Sequence, residues 1–220
     1  MDEDKEQRRY ERAHDPSRVL ALSDAVCAII ITLLVIEVHV PEQIHRGETL
    51  FSELQTIRPS IVAFFISFVV VAIAWAGHRD LFTVIKHTDR TLVWLNILYL
   101  LPLCLLPFGA SLIARYPTDA LALRMYGLLL VAIAATRVGI WLYATGRTHL
   151  LYDPPDLQFR RAGVAVAVGP AVAYAVAFAI ADAAPIVSMV IYGAVPIVYF
   201  IVITLARSTA PPGSAERDLT

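Results

Sequence analysis

The sequence predicts an all-α membrane protein, and three observations lead to this fold class. First, 58% of its 220 residues are hydrophobic and the mean hydropathy is +0.65, whereas soluble domains contain roughly 45–50% apolar residues. Second, the apolar residues form long blocks of ~20, the number a helix needs to cross a bilayer. Third, the blocks are apolar on every face, which disfavours the alternating pattern of a β-barrel.

Six such blocks predict six transmembrane helices, because backbone facing lipid must satisfy its polar groups within a helix. The blocks are residues 19–38, 59–77, 91–114, 120–144, 162–181 and 185–206. At this length a single domain is expected, so we expect residues 18–207 to form one bundle. Residues 1–17 are highly charged and predict a cytoplasmic N-terminal tail. Residues 208–220, rich in Pro, Ser and charge, predict a flexible cytoplasmic C-terminal tail.

Basic residues in the loops predict the orientation of the bundle. Thirteen Lys and Arg residues fall on the side of the two chain ends, and four fall on the opposite side: Arg46, Arg58, Arg115 and Arg124. Because Lys and Arg accumulate in cytoplasmic loops, we expect a multi-pass protein of the cell membrane with both termini in the cytoplasm. Arg137 remains inside the fourth block, where snorkelling to the cytoplasmic end is favoured over a role in the ion path.

The first block contains an acidic residue, Asp24, inside an apolar helix. An ionised carboxylate there costs at least ~2.5 kcal/mol unless it is paired or hydrated. Arg18 lies roughly 9 Å away along the helix axis at 1.5 Å per residue, too far to pair easily. We therefore expect Ser23 and Asp24 to hydrogen-bond to the second and third helices. The alternative is that Asp24 is a solvated residue near the helix start.

Beyond Asp24, four residues recur at i, i+3, i+4 and i+7: Ile29, Thr32, Leu33 and Ile36. This spacing places them on one face of the helix. Such a stripe is typical of ordinary contact with lipid or another helix, but a hydrophobic constriction in a pore has the same pattern. The spacing does not decide between these interpretations.

No pattern of catalytic or cofactor-binding residues stands out elsewhere in the chain. There is no phosphate-binding loop, no metal-ligand spacing and no dinucleotide fingerprint, and no nucleophile–base or carboxylate pair is apparent. We therefore expect neither an enzyme nor a cofactor. The net charge of −1 gives no indication of a nucleic-acid partner. Glu37 and His39, at the outer end of the first block, are interpreted as solvated rather than as a cation-concentrating pair.

The segment Arg18-x-x-x-Leu22-Ser23-Asp24 resembles the signature Arg-x-x-x-Phe-Ser-Asp of the lysosomal/endosomal potassium channel family (transmembrane protein 175), in its prokaryotic branch. Leu22 stands where the family has Phe. The segments Ala28-Ile29-x-x-Thr32-Leu33-Leu34-Val35-x-Glu37, Trp75-x-x-His78, Leu95-Asn96 and Leu106-Pro107-Phe108 also resemble the family, so the likeness extends to about residue 115.

The resemblance implies a homotetramer whose first helix lines a central, potassium-permeable pore with modest selectivity for potassium over sodium. Ile29, Leu33 and Ile36 would form a hydrophobic constriction, and the Thr32 hydroxyl would contribute to potassium preference. It also implies a structural network between helices, formed by Arg18, Ser23, Asp24, Trp75, His78 and Asn96. The carbonyl filter of ordinary potassium channels is not expected, because the chain has no Thr-Val-Gly-Tyr-Gly segment.

A second class of function is a proton-coupled secondary transporter in which Asp24 and His78 form a relay. Ionisable residues within the membrane often mark such proton paths. Transporters are better indicated by internal repeats and broken helices at the midplane, and the chain shows no internal repeat. The channel interpretation is therefore preferred.

Overall fold

The computed structural model describes residues 15–39, 49–153 and 157–208, without the side chains of residues 148, 159, 162 and 203–208. These ranges are almost entirely helical, which confirms the predicted all-α class. The described helices are α1 (Ser17–Ile36), α2 (Leu50–Thr56), α3 (Arg58–Phe82), α4 (Arg90–Cys104), α5 (Leu106–Arg115), α6 (Ala120–Gly146), α7 (Leu157–Ala179) and α8 (Pro185–Ser208). The predicted tails lie mostly outside the described residues.

Five of the predicted spans correspond to stretches that are long and apolar enough to cross a membrane: Ser17–Ile36, Arg58–Phe82, Arg90–Arg115, Ala120–Gly146 and Pro185–Val202. The remaining predicted span corresponds to α7, whose apolar stretch Gly163–Ala179 is shorter. The multi-pass architecture is therefore supported by the helices. The count of six spans stays a prediction.

The third predicted span is divided into two consecutive helices. α4 ends at Cys104, and α5 begins at Leu106 with Pro107 in its first turn. Proline has no N–H, and its ring clashes with the carbonyl four residues earlier, which here belongs to Leu103. The helix is therefore interrupted at Leu105 within one apolar stretch.

Aspartate and threonine side chains set the starts of three helices. The carboxylate of Asp89 accepts a hydrogen bond from the Leu92 N–H at 2.8 Å, and Asp119 accepts one from the Ala122 N–H at 3.0 Å. Thr49 does the same at the start of α2. Each cap satisfies an N–H that has no partner within the helix.

α6 lies in the middle of the bundle, where it packs against α4, α5, α7 and α8. Side chains that are fully buried along it include Leu123, Tyr126 and Leu130. α1 lies to one side, and its main contacts are with α3, α4 and α5. This peripheral position leaves one long face of α1 without cover from its own subunit.

Backbone hydrogen bonds bring two loops together at one end of the bundle. The Lys86 N–H donates to the Leu150 carbonyl at 2.7 Å, and the Tyr152 N–H donates to the Val84 carbonyl at 3.2 Å. The loops after α3 and α6 therefore lie on the same side, as the predicted alternation of spans requires. At the opposite end, Arg124 forms an ion pair with Asp182.

Candidate functional site

One face of α1 is anchored to the bundle. Its buried residues are Val19, Ser23, Cys27, Ile30 and Leu34, which recur every three or four positions and so form a single stripe. The stripe packs on α3, α4 and α5. The rotation of α1 about its axis is thereby set by the side chains that it buries.

The predicted pore residues lie away from this buried face. Ile29 is 57% exposed, Leu33 42% and Ile36 63%. Thr32 is exposed between them, and its hydroxyl donates to the Ile29 carbonyl at 2.8 Å. Large apolar side chains are thus turned outward from the subunit along about two turns of α1. This arrangement leaves them available to lipid or to neighbouring subunits.

A buried polar cluster joins α1 to α3 and α4. The Asn96 Nδ2 donates to the Ser23 Oγ at 3.0 Å, and the Ser23 hydroxyl donates to the Val19 carbonyl at 3.0 Å. His78 Nε2 lies 2.6 Å from Asn96 Oδ1. Because an amide oxygen only accepts hydrogen bonds, Nε2 carries the hydrogen of this pair. The donors then run in one direction, from His78 through Asn96 and Ser23 to the α1 backbone.

The His78 ring is held between two aromatic rings. Its centroid lies 4.5 Å from that of Phe82 and 5.0 Å from that of Tyr99, both in stacked geometry. The Tyr99 hydroxyl donates to the Ala74 carbonyl at 2.8 Å. The His78 Nδ1 atom is buried and has no partner among the described residues.

Asp24 belongs to a second, exposed contact. Its carboxylate accepts a hydrogen bond from the Trp75 Nε1–H at 2.7 Å. The guanidinium of Arg79 lies 5.9 Å above the Trp75 ring. Arg18 is exposed, and its side chain forms no hydrogen bond or ion pair with the residues that the structure describes. The structure therefore brings Ser23, His78 and Asn96 into one cluster and Asp24 with Trp75 into another, and Arg18 joins neither within the subunit.

Sequence reasoning missed two features near these clusters. Tyr99 lies three residues after Asn96, so helical spacing alone could have placed it on the same face of α4. Arg137, expected to snorkel, donates from Nη2 to the Tyr199 hydroxyl at 2.6 Å and to the Gly77 carbonyl at 3.4 Å, and neither partner was predicted. No local pattern links Arg137 to a tyrosine in α8.

Just after the end of α1, His39 Nδ1 lies 3.0 Å from the Glu37 carbonyl. The described part of the chain contains no group of three or more His, Cys, Asp or Glu residues that could hold a metal ion. Of the polar residues of α1, Ser23 and Asp24 form contacts with other helices.

Comparison with known proteins gives a consistent assignment. The family model described as "Endosomal/lysosomal potassium channel TMEM175" matches residues 18–107. A protein named potassium channel from Streptomyces collinus is 34% identical over 145 residues, which cover 64% of this chain and 69% of the relative. A potassium channel from Chamaesiphon minutus is 34% identical over 146 residues, covering 64% and 72%.

A vertebrate relative and a solved structure extend the comparison. The endosomal/lysosomal proton channel TMEM175 of Danio rerio is 30% identical over 182 residues, which are 73% of this chain and 35% of that protein. The crystal structure of a lysosomal potassium-selective channel TMEM175 homolog from Chamaesiphon minutus superposes with a TM-score of 0.76. It has 29% sequence identity, and the match covers 88% of this chain and 98% of that one. The chain belongs to the TMEM175 family, a family of ion channels and not of enzymes.

Proposed function

We propose that this protein is the subunit of a potassium-permeable cation channel in the cell membrane, with the exposed stripe of α1 lining the ion path. The observation that carries the proposal is that Ile29, Leu33 and Ile36 point away from the interior of their own subunit. The printed names of the bacterial relatives as potassium channels support the same assignment.

A pore of this kind requires several copies of the chain. α1 packs on α3, α4 and α5 from one side only, so one subunit cannot surround an axis lined by the opposite face of α1. Membrane oligomers of identical chains close by rotational symmetry, and the family resemblance implies four copies. In such a homotetramer, Ile29, Thr32, Leu33 and Ile36 of each subunit repeat as rings around the axis.

Permeation through these rings follows from their chemistry. Aliphatic side chains offer a cation no ligand, so selectivity depends on pore radius, on retained hydration water and on nearby hydroxyls such as that of Thr32. A cage of carbonyl dipoles replaces the hydration shell of the ion, and an apolar ring does not. We therefore propose modest selectivity for potassium over sodium.

The buried cluster of Ser23, His78 and Asn96 has a structural role in this proposal. It joins α1 to α3 and α4 through hydrogen bonds at full burial, which fixes the rotation of α1 and hence the direction of the pore stripe. The contact between Asp24 and Trp75 holds the same end of α1 from the outside. The polar residues are thus proposed to orient the pore helix rather than to touch the ion.

The second candidate function is proton movement, which the name of the Danio rerio relative favours. A direct relay between Asp24 and His78 lacks support, because Asp24 is bonded to Trp75 and His78 to Asn96. No hydrogen bond joins the two residues directly in the described part of the chain.

Recording of single channels from purified protein in planar bilayers tests these proposals. Under opposed potassium and sodium gradients we expect discrete conductance steps and a reversal potential displaced toward the potassium equilibrium potential. A pH gradient alone should leave the reversal potential unchanged. Flux that saturates with substrate and requires a proton gradient would instead identify a transporter and contradict the channel proposal.

A further inference from the structure

A cavity of about 380 Å³ lies between α3, α6, α7 and α8, and none of its lining residues belongs to α1. It extends from Arg137 in α6 to Thr83 and Val84, which follow the end of α3. It therefore reaches from within the bundle to the end at which the loops after α3 and α6 meet. Its volume falls in the range of small-molecule sites, roughly 300–1,000 Å³.

Arg137 supplies positive charge to this cavity. A guanidinium has five N–H donors, and both hydrogen bonds that Arg137 makes to described residues come from Nη2. No nitrogen of Arg137 is among the fully buried atoms without a partner, so its remaining donors are accessible. Arg137 forms no ion pair with a described carboxylate. A partly buried guanidinium without a carboxylate partner among the described residues is suited to an anion.

Gly77 leaves room for the Arg137 guanidinium at the cavity wall. A Cβ at position 77 would lie 2.5 Å from the Arg137 Nη2 atom, which is closer than nonbonded atoms approach. Only glycine therefore lets the guanidinium lie against the α3 backbone. On its other side, the guanidinium carbon lies 5.2 Å from the centre of the Tyr199 ring.

An apolar groove continues directly from the cavity. Its volume is about 510 Å³, and it is lined by small and aliphatic side chains of α7 and α8. Val166 and Tyr199 line both the groove and the cavity, so the two spaces adjoin. Gly169 in the groove has open space where a side chain would be. A charged pocket joined to an apolar groove matches a phospholipid, which has a charged headgroup and apolar acyl chains.

Charge favours an anionic occupant over a neutral one. Arg160 and Arg161 are exposed in α7 near the same end of the bundle, where they line a further surface pocket that shares Ala165 with the groove. Asp80 is an acidic residue of the cavity wall, and it has an interaction partner of its own. Basic residues at a membrane surface attract anionic lipid headgroups.

We propose that the cavity between α3, α6, α7 and α8 binds the phosphate of an anionic phospholipid through Arg137, with an acyl chain in the groove between α7 and α8. The site is separate from the pore stripe of α1 and does not depend on the proposed conduction. Under the predicted orientation, the lipid belongs to the cytoplasmic leaflet.

Native mass spectrometry of the delipidated full-length protein in detergent tests the proposal. We expect phosphatidylglycerol to bind more tightly than phosphatidylcholine of the same acyl chains. Arg137→Gln should weaken phosphatidylglycerol binding about ten-fold or more, because it removes a charge-assisted hydrogen bond. It should weaken phosphatidylcholine binding less, because the choline cation offsets the charge of that lipid's phosphate. The matched control is Arg115→Gln, at the exposed end of α5, which should bind both lipids as the wild type does.

Two further measurements are needed. One tests the groove independently of the charge of Arg137, and the other distinguishes binding of the lipid from binding of free phosphate. Gly169→Phe fills the groove without touching Arg137, so it should also weaken phosphatidylglycerol binding. Inorganic phosphate at equal or higher concentration should not displace the lipid. Unchanged lipid binding by either Arg137→Gln or Gly169→Phe would overturn the proposal, as would displacement by inorganic phosphate. If Arg137→Gln does not fold, lipid binding by Gly169→Phe tests the proposal.

Discussion

Asn96 is one amide side chain that connects three helices. It is fully buried in α4, accepts from His78 in α3 and donates to Ser23 in α1. Replacing it with an aliphatic residue leaves the buried His78 Nε2–H without a partner, which costs about 1–3 kcal/mol, and removes the hydrogen bond that joins α4 to Ser23 of α1. The position of α1 on the bundle is therefore sensitive to this single residue.

We expect Asn96→Ala to lower the thermal stability of the purified protein and to reduce the yield of assembled oligomer. The matched control is Ser188→Ala, because Ser188 is equally buried and bonds to the Ala177 carbonyl in α7, away from α1. That variant should lose about 1 kcal/mol and assemble normally. Size-exclusion chromatography and thermal denaturation measure both effects. Equal assembly by the two variants would contradict the role of Asn96 in placing α1.

At Ile29, we expect a change in permeation rather than in folding, because the side chain is exposed in the subunit. Ile29→Ala should widen the constriction and bring the potassium to sodium permeability ratio closer to one. Ile197→Ala in α8 is the control, since Ile197 is the same residue type at 52% exposure on a helix remote from α1. Reversal potentials in liposome-derived bilayers give the ratio. A ratio in Ile29→Ala equal to that of the control would exclude this position from the pore.

At the scale of elements, the start of α4 is tied to the end of α6. The Tyr143 hydroxyl donates to Asp89 Oδ2 at 2.5 Å, and the Arg147 guanidinium carbon lies 5.1 Å from the centre of the Tyr143 ring. Burial by itself would raise the pKa of Asp89. The hydrogen bonds from Tyr143 and from the Leu92 N–H, with Arg147 and His149 nearby, outweigh it and hold the pKa below its ordinary value.

The lowered pKa of Asp89 predicts that the protein loses stability on acidification. A carboxylate whose pKa is lower in the folded than in the unfolded state stabilises the fold above the unfolded pKa, about 3.9 for Asp, and loses this contribution as pH falls through the folded pKa. Asp89→Asn retains a capping oxygen and lacks the charge. We therefore expect wild type to exceed Asp89→Asn in thermal stability above pH 5, with the difference narrowing below pH 4.

Asp119→Asn is the control for the pH experiment. Asp119 caps α6 in the same way, without a tyrosine donor from another helix in the described part of the chain. The gap in melting temperature between wild type and Asp119→Asn should vary less with pH than the Asp89→Asn gap. If both differences in melting temperature change equally with pH, the Tyr143 contact is not the source of the lowered pKa of Asp89.

At the scale of the whole molecule, the outward stripe of α1 predicts a symmetric assembly. We expect a mass in detergent, corrected for bound detergent, of four times the 24.2 kDa of one chain. In a background without Cys27 and Cys104, Leu33→Cys should form disulfide-linked dimers and nothing larger upon mild oxidation, because each cysteine pairs once near the axis. Val198→Cys, 56% exposed on α8, is the control and should remain monomeric on non-reducing gels. If Leu33→Cys does not cross-link and Val198→Cys does, a face other than the α1 stripe lies at the centre of the assembly.

The sequence by itself determined the all-helical membrane architecture and the family, because the bilayer leaves a long apolar segment no other stable backbone conformation and because the segment beginning at Arg18 matches the family at closely spaced positions. It also placed Ile29, Thr32, Leu33 and Ile36 on one face of α1, since helical periodicity assigns every third or fourth residue to one stripe, but it did not determine what that face contacts.

Only the tertiary structure decided which partners the polar residues find. Ser23 is buried against Asn96, whereas the adjacent Asp24 is exposed against Trp75, and Arg137 reaches Tyr199, 62 residues away. Periodicity places a side chain on a face, but the residue that meets it depends on how distant helices cross and on side-chain volume at the crossing, as at Gly77. These contacts are non-local, and no window of sequence contains both partners.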